Sequence, residues 1–382
     1  MGLAMLVAGC SALPSAGPTA SEIVSGAAVT DSPAQLNYEL IDLSDEIVTV
    51  LATRERGSLL RSFGAGGAAP QLVVGRGDSV TVTIWEAGAG GLFSSPAVTQ
   101  LAPGSRTATI PEQVVAADGT IGVPYAGRIR VLGLRPADIE AEIVRRLAGK
   151  AIEPQAIITI TKNVANTVSV TGEVVTGAVV PLSVKGVRVL EVIAAAGGLR
   201  APAFESFIRL TRGNRTASVP FNTILARPAE NIFLRGGDVL TVVREPQTFS
   251  AFGATGQNAV VSFDAAGMTL EEAVAKAGGL LDQRADPRGV FLFRYEPASL
   301  VYSFRTTDKP AVVPADALVP VVYRLDMREP RSYFIARRFQ VQDKDILFAA
   351  NAPFSDVQKF ISMISTVAAP ALTAAAIYRN AR

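Results

Sequence analysis

The chain of 382 residues contains no histidine and a single cysteine. That excludes Ser-His-Asp and Cys-His nucleophilic sites, histidine-bearing zinc or iron centres, and any thiolate cluster within one chain. Carboxylates remain: 34 acidic residues leave open a glycosidase-type reaction, which needs only two suitably spaced acids. No such pair is marked out. The acids that stand out lie in a phrase occurring three times: Gly77-Asp78-Ser-Val-Thr-Val, Gly237-Asp238-Val-Leu-Thr-Val and Lys344-Asp345-Ile-Leu-Phe-Ala. An aspartate in a turn just before a strand can bond its own backbone, so turn chemistry is expected of Asp78, Asp238 and Asp345, not metal binding or catalysis. Gly64-Ala-Gly-Gly and Gly88-Ala-Gly-Gly are glycine-rich, but neither leads into Lys-Ser/Thr nor has GxGxxG spacing, so both are read as loops. No catalytic residue, cofactor site or metal ligand is assigned.

The elements that would position any site are organised by a duplication. Arg188-Val-Leu-Glu-Val-Ile-Ala-Ala-Ala-Gly-Gly-Leu199 and Thr269-Leu-Glu-Glu-Ala-Val-Ala-Lys-Ala-Gly-Gly-Leu280 align at an offset of 81, with six of twelve positions identical. The same offset pairs Gly172 with Gly253 and Ala178-Val179-Val180 with Ala259-Val260-Val261. A duplicated unit of this size suggests architecture before catalysis. Val189, Val192, Ile193 and Ala196, like Leu270, Ala273, Val274 and Ala277, have the spacing of a short amphipathic helix. Thr269 and Glu272 have capping-box spacing, and the Gly-Gly pairs supply left-handed C-caps. Strands are expected around each helix, at Val168-Ser-Val-Thr, Val239-Leu-Thr-Val-Val and Ile346-Leu-Phe, so each unit reads as a small sheet carrying one helix. Asp238 and Asp345 are 107 apart, which gives the second copy about 26 extra residues, placed within Ser299–Pro330.

Upstream, Gln71–Thr161 shows an alternating strand (Val80, Val82, Ile84), hairpin punctuation from Asp118 to Gly127, a helix from Pro136 with Ile139, Ile143 and Leu147 on one face, and a strand at Ile157–Ile160. Tyr38–Arg54 reads as a strand followed by a Ser44-capped helix, and Gly64–Pro70 as a linker. The class is α+β and multidomain. A hydrophobic content of 49% supports real cores, and a net charge of +2 without a basic stripe argues against nucleic acid as a partner.

The two ends point to a membrane. Cys10 follows Leu6-Val7-Ala8-Gly9, the approach of a lipoprotein cleavage site, and Ser11–Ala28 has the composition of a tether. Met1 is read as internal to a longer signal, and Ser11 in place of an aspartate fits release to the outer membrane. Residues 360–378 carry no charge, and as a helix would be about 28 Å long against roughly 30 Å of hydrocarbon. Ser362, Ser365, Thr366, Ala369, Thr373 and Ala376 fall within an arc of ~100°, opposite Phe360, Ile364, Val367 and Tyr378. Helices packed in a ring would turn the small hydroxylated face to neighbours or a lumen and the bulky face to lipid. Pro370 is expected to kink the helix.

In order, these parts resemble the outer-membrane polysaccharide export lipoproteins that release capsule and exopolysaccharide from Gram-negative bacteria. Gly75–Glu86 and Asp118–Gly127 look like that family's export domain, the Ala-Gly-Gly-Leu units like its soluble-ligand-binding β-grasp (SLBB) repeats, and Asn351–Phe360 like the entry to its membrane segment. The resemblance implies a small β-rich export domain, two β-grasp-like repeats and a C-terminal transmembrane helix assembling as a ring of about eight. It implies a polysaccharide substrate, outer-membrane lipid, and an inner-membrane co-polymerase or ABC exporter as partners, with transport and no chemistry. The expected divisions are 1–9 signal remnant, 10–70 lipid-anchored segment and linker, 71–162 export domain, 163–246 first repeat, 247–350 second repeat with insertion, and 351–382 membrane-spanning helix. On the residues alone, two other classes stay open: a lipid-anchored periplasmic binding or scaffolding protein, and a tethered glycan-acting enzyme.

Cys10 is expected to be the lipidated mature N-terminus. Mass spectrometry of that terminus decides the point, and an unmodified thiol or a different first residue removes the assignment.

Overall fold

The computed structural model describes residues 17–27, 37–52, 54, 57–64, 69–87, 91–93, 107–265, 267–304, 314 and 317–352. Two compact units are present, one made of Met1–Arg54 with Pro246–Arg382 and the other of Glu55–Glu245.

The N-terminal elements are docked parts of the fold. α1 (Ala20–Gly26) starts with a capping box between Thr19 and Glu22, and its Ile23 is buried with Phe291, Val322 and Phe348. The tether expected over Ser11–Ala28 therefore needs correction in its second half, where one cap and one apolar anchor suffice to seat a helix on the sheet. β1 (Glu39–Asp42) and α2 (Asp45–Ala52) match the expected strand and helix, with the Ile47 amide donating to Ser44 Oγ at 3.4 Å. α3 (Leu59–Phe63) has only one turn of pattern and belongs to the Glu55–Glu245 unit, with Leu59 fully buried there.

In that unit, β2 (Ser79–Trp85) buries Val80, Val82 and Ile84 on one face. β3 (Thr107–Val114) pairs along one edge of it; β4 (Thr120–Val123) and β5 (Gly127–Arg130) form a separate hairpin. α4 (Pro136–Leu147) opens with proline, sends Ile139, Ile143 and Leu147 into the core, and leads to β6 (Gln155–Lys162) on the other edge of β2.

The first repeat comprises β7 (Thr167–Gly172), β8 (Ala178–Pro181), α5 (Val189–Ala195), β9 (Ser206–Arg212), β10 (Arg215–Pro220), α6 (Phe221–Ala226) and β11 (Val239–Arg244). Its strand order is β10-β9-β11-β7-β8. The second comprises β12 (Thr248–Gly253), β13 (Ala259–Ser262), β14 (Met268–Thr269), α7 (Leu270–Lys276), β15 (Ala285–Pro297), α8 (Ala298–Val301), β16 (Leu318–Leu325), α9 (Pro330–Arg338), β17 (Gln340–Val341) and β18 (Asp345–Asn351). Its order is β1-β16-β15-β18-β12-β13, the same sheet with β1 added in parallel at the edge. In both copies the central pair is parallel, β11 with β7 and β18 with β12, and the flanking pairs are antiparallel. The extra residues of the second copy fall between β15 and β16, where the first has a tight hairpin.

Each sheet carries more than the single helix expected. Val189, Val192 and Ile193 of α5 share a core with Ile224 of α6 and Leu59 of α3. Leu270, Ala273 and Val274 of α7 share another with Ile335 and Ala336 of α9 and Val48 of α2. Apart from α2, which was expected, these additional helices span five to nine residues, too short for periodicity to announce them.

The shared Ala-Gly-Gly phrase is a helix stop. The amides of Gly197 and Gly198 donate to the carbonyls of Ala194 and Ile193, and those of Gly278 and Gly279 to Ala275 and Val274, the paired bonds of a Schellman motif. All four glycines have φ between 74° and 88°. Gly172 and Gly253 pair for another reason: a Cβ there would sit 2.0 Å from the Val242 carbonyl oxygen or 2.1 Å from that of Ala349.

Gly197→Val and Gly278→Val are each expected to lower stability by more than about 1 kcal/mol, because a β-branched residue resists the left-handed cap. Neither site has free space either, since a Cβ at Gly197 would lie 3.0 Å from Val175 Cβ and one at Gly278 2.9 Å from Gly256 Cα. Thermal unfolding checks this, and unchanged melting of both variants would contradict it.

Candidate functional site

The three phrase aspartates do the same local work. Asp78 Oδ2 accepts from the Gly75 amide at 2.8 Å, Asp238 Oδ2 from Arg235 at 2.8 Å, and Asp345 Oδ2 from Gln342 at 2.7 Å. Each thereby closes a turn on the residue three positions upstream. All three are essentially inaccessible to solvent, so each carboxylate needs a second partner. Asp78 takes the Val164 and Ala165 amides, both at 2.8 Å. In the repeats the partner is an arginine on the neighbouring strand. Arg212 grips Asp238 through Nε (2.9 Å) and Nη2 (2.7 Å), and Arg294 grips Asp345 through Nε (2.8 Å) and Nη2 (2.5 Å). Sequence reasoning placed the aspartates correctly and missed both arginines. The register explains why: Arg212 and Arg294 occupy equivalent strand positions but are 82 apart, one off the helix offset, so an ungapped alignment sets Arg212 against Phe293.

In the second repeat the pair grows into a buried network. Glu296, fully buried, accepts from Arg294 Nη1 at 3.3 Å, Arg54 Nη1 at 2.6 Å and the Tyr323 hydroxyl at 3.2 Å. The Arg294 guanidinium also lies 5.1 Å from the centre of the Phe339 ring. Burial works against the charge of Arg294, yet its bonds to Asp345 outweigh that and hold it protonated above its ordinary range. Burial, with the charge of Glu296 beside it, pushes the Tyr323 phenol well above its ordinary value, so it donates as a neutral hydroxyl. Two cations thus face two anions.

The remaining buried carboxylates are also committed. Glu86 accepts the Leu92, Phe93 and Ile152 amides. Glu230 accepts the Leu59 and Leu60 amides and the Ser58 hydroxyl at the start of α3. Asp286 holds the Arg288 amide and Nε. All three are buried, which leaves them little of the solvent access that general acid or base chemistry requires. Two grooves of about 520–530 Å³ lie among the described residues. One is an open, apolar surface around Ile110 of β3 and Val123 and Pro124 at the end of β4. The other is charged, with Arg324 bidentate to Asp42 and Arg328 bidentate to Asp326. Among the described residues no cluster of three acids could hold a metal ion.

Cys10 and the C-terminal face residues Phe360, Ser362, Ile364, Ser365, Thr366, Val367, Thr373 and Tyr378 lie outside the described residues, as do most of Gly64–Pro70 and Gly88–Gly90. Among the described residues no helix is long and apolar enough to cross a membrane.

Comparison with known proteins matches the duplicated sheets to a known domain. Residues 67–161 match the polysaccharide biosynthesis/export protein family, and 166–242 and 247–349 each match the SLBB domain. An export domain followed by two such domains defines the class. The chain is 37% identical over 371 residues to the capsule polysaccharide export protein BexD of Haemophilus influenzae, covering 94% of this chain and 92% of that protein. It is 38% identical over 364 residues to the capsule polysaccharide export outer membrane protein CtrA of Neisseria meningitidis serogroup B, covering 94% and 91%. Similarity extends to the Vi polysaccharide export protein VexA/TviF of Salmonella typhi, at 27% over 286 residues, 74% and 75% of the two chains. The chain belongs to the polysaccharide export protein family.

Arg294→Met leaves Asp345 and Glu296 buried with too little positive charge, so a loss on the order of 3–5 kcal/mol is expected. Arg212→Met should cost less, because that arginine keeps 18% of its side chain in water and serves one carboxylate. Denaturant unfolding of both variants gives the comparison, and equal losses would show that the Glu296 network adds nothing.

Proposed function

We propose that this protein is the outer-membrane component through which a capsular or extracellular polysaccharide passes from the periplasm to the cell surface. The observation that carries this reading is the 37–38% identity across 94% of the chain to proteins named for capsule polysaccharide export. The family is one of export proteins and not of enzymes. The use of the buried carboxylates as bonds within the fold agrees with a protein that works by shape and assembly.

In the finer reading, about eight copies form a ring, lipidated at Cys10, with residues 360–378 of each copy crossing the outer membrane. Ser362, Ser365, Thr366 and Thr373 then face the lumen or a neighbour, and Phe360, Ile364, Val367 and Tyr378 face lipid. This reading rests on the uncharged run and its two-faced pattern. Export also requires delivery of polymer from the inner membrane, by a co-polymerase or an ABC exporter.

A charge on a lipid-facing position costs several kcal/mol, whereas a hydrated lumen accommodates it. Thr373→Lys should therefore assemble and Val367→Lys should not. Deleting residues 360–382 should abolish surface polysaccharide while leaving a folded periplasmic body. Equal insertion of both lysine variants, or export by the deletion, would reduce the segment to a tether.

A further inference from the structure

One end of the second repeat holds an unfinished site. At the last residues of β18, Asn351 pairs with Ala285 of β15, the Ala352 amide donates to the Arg284 carbonyl at 2.7 Å, and Thr19 forms an isolated parallel bridge to Asn351. Within this knot, Arg284 Nε and Asn351 Nδ2 are the two buried side-chain nitrogens among the described residues that have no acceptor. Asn351 is only 4% exposed. Arg284 Nη2 reaches Asn351 Oδ1 at 3.5 Å, and no carboxylate among the described residues pairs with this guanidinium, although Arg288, four positions on, has one. A half-buried guanidinium without an anion, beside a buried amide without an acceptor, is costly, and both vacancies call for acceptor oxygens. The ligand that satisfies both is an oxyanion, held as arginine holds phosphate or carboxylate.

The chain itself indicates the source of that oxyanion. Gly17, whose added Cβ would touch Phe348 near the end of β18, is seven positions after Cys10, and Phe360 is nine positions after Asn351. At about 3.3–3.6 Å per extended residue, a lipid on Cys10 lies within ~25 Å of Gly17, and the start of the uncharged run within roughly 32 Å of Asn351. Both anchors are leashed to this end of the sheet. We propose that Arg284 and Asn351 form a receptor for the phosphodiester of a membrane phospholipid, seating the end of the second repeat on the headgroup layer; the placement at the membrane rests on the export reading above, the oxyanion chemistry does not.

The test uses the full-length, detergent-solubilised protein with a fluorophore at Asp282→Cys, an exposed position two residues from Arg284, or at Lys344→Cys at the far end of β18. Titration with a soluble short-chain phosphatidylglycerol should give a saturable response at the first label alone. Arg284→Met should weaken that response at least tenfold while melting no lower than the parent, because a structural role would lower the melting temperature instead. Undiminished binding in the Arg284→Met/Asn351→Leu variant, or a response to an anionic oligosaccharide and none to the lipid, overturns the proposal. In liposomes carrying a headgroup quencher, the 282 label should be quenched severalfold more than the 344 label. Equal quenching overturns the seating, whereas failure of the protein to enter liposomes at all, with lipid binding in detergent intact, counts against the membrane reading alone.

Discussion

A carboxylate buried at the entrance of a strand is the constraint on which this structure depends. Asp78, Asp238 and Asp345 each tie a turn amide three residues upstream, which fixes where the strand begins and hence its register. A buried charge cannot stand alone, so each site demands a second partner, and in the repeats that demand places an arginine on the adjacent strand. Register, turn and ion pair are therefore one device used in both repeats. Among the described residues the buried acids are thus used as bonds within the fold.

The two copies have diverged around this device. The first has a tight β9–β10 hairpin, and α3 packs beside it with Glu230 capping its amides. The second accepts β1 as an extra parallel strand, extends β15 and β16 around an insertion, and adds Glu296 and Arg54 to the arginine–aspartate pair. Arg54 is the last residue of its unit before the chain enters the other, so the network pins the point of departure. This reinforced repeat also holds the bridge between Thr19, just before α1, and Asn351, the last residue of β18.

Much of this was legible in the residues because it is local. The Thr269–Glu272 box, the Gly-Gly stops, the face of α4 and the aspartate turns are written in neighbouring positions, and the structure has them where spacing put them. What escaped is long-range or brief. Arg212 and Arg294 are recognisable only once strand register is known, and nothing at Glu296 announces that Arg54, 242 positions away, will meet it. α1 escaped because Ser11–Ala28 has the composition of a tether, and composition does not reveal that one isoleucine finds a pocket of aromatic rings. The assignments at Cys10 and 360–378 rest on pattern and on the family.

The proposed export function requires that copies of this chain enclose a common passage. Single-particle imaging of the full-length protein extracted from the outer membrane tests it most directly. The account predicts a closed ring, with an axial aqueous lumen wide enough for a hydrated polysaccharide and the second repeat nearest the detergent belt. A monomer, or an assembly without an axial passage, would contradict it.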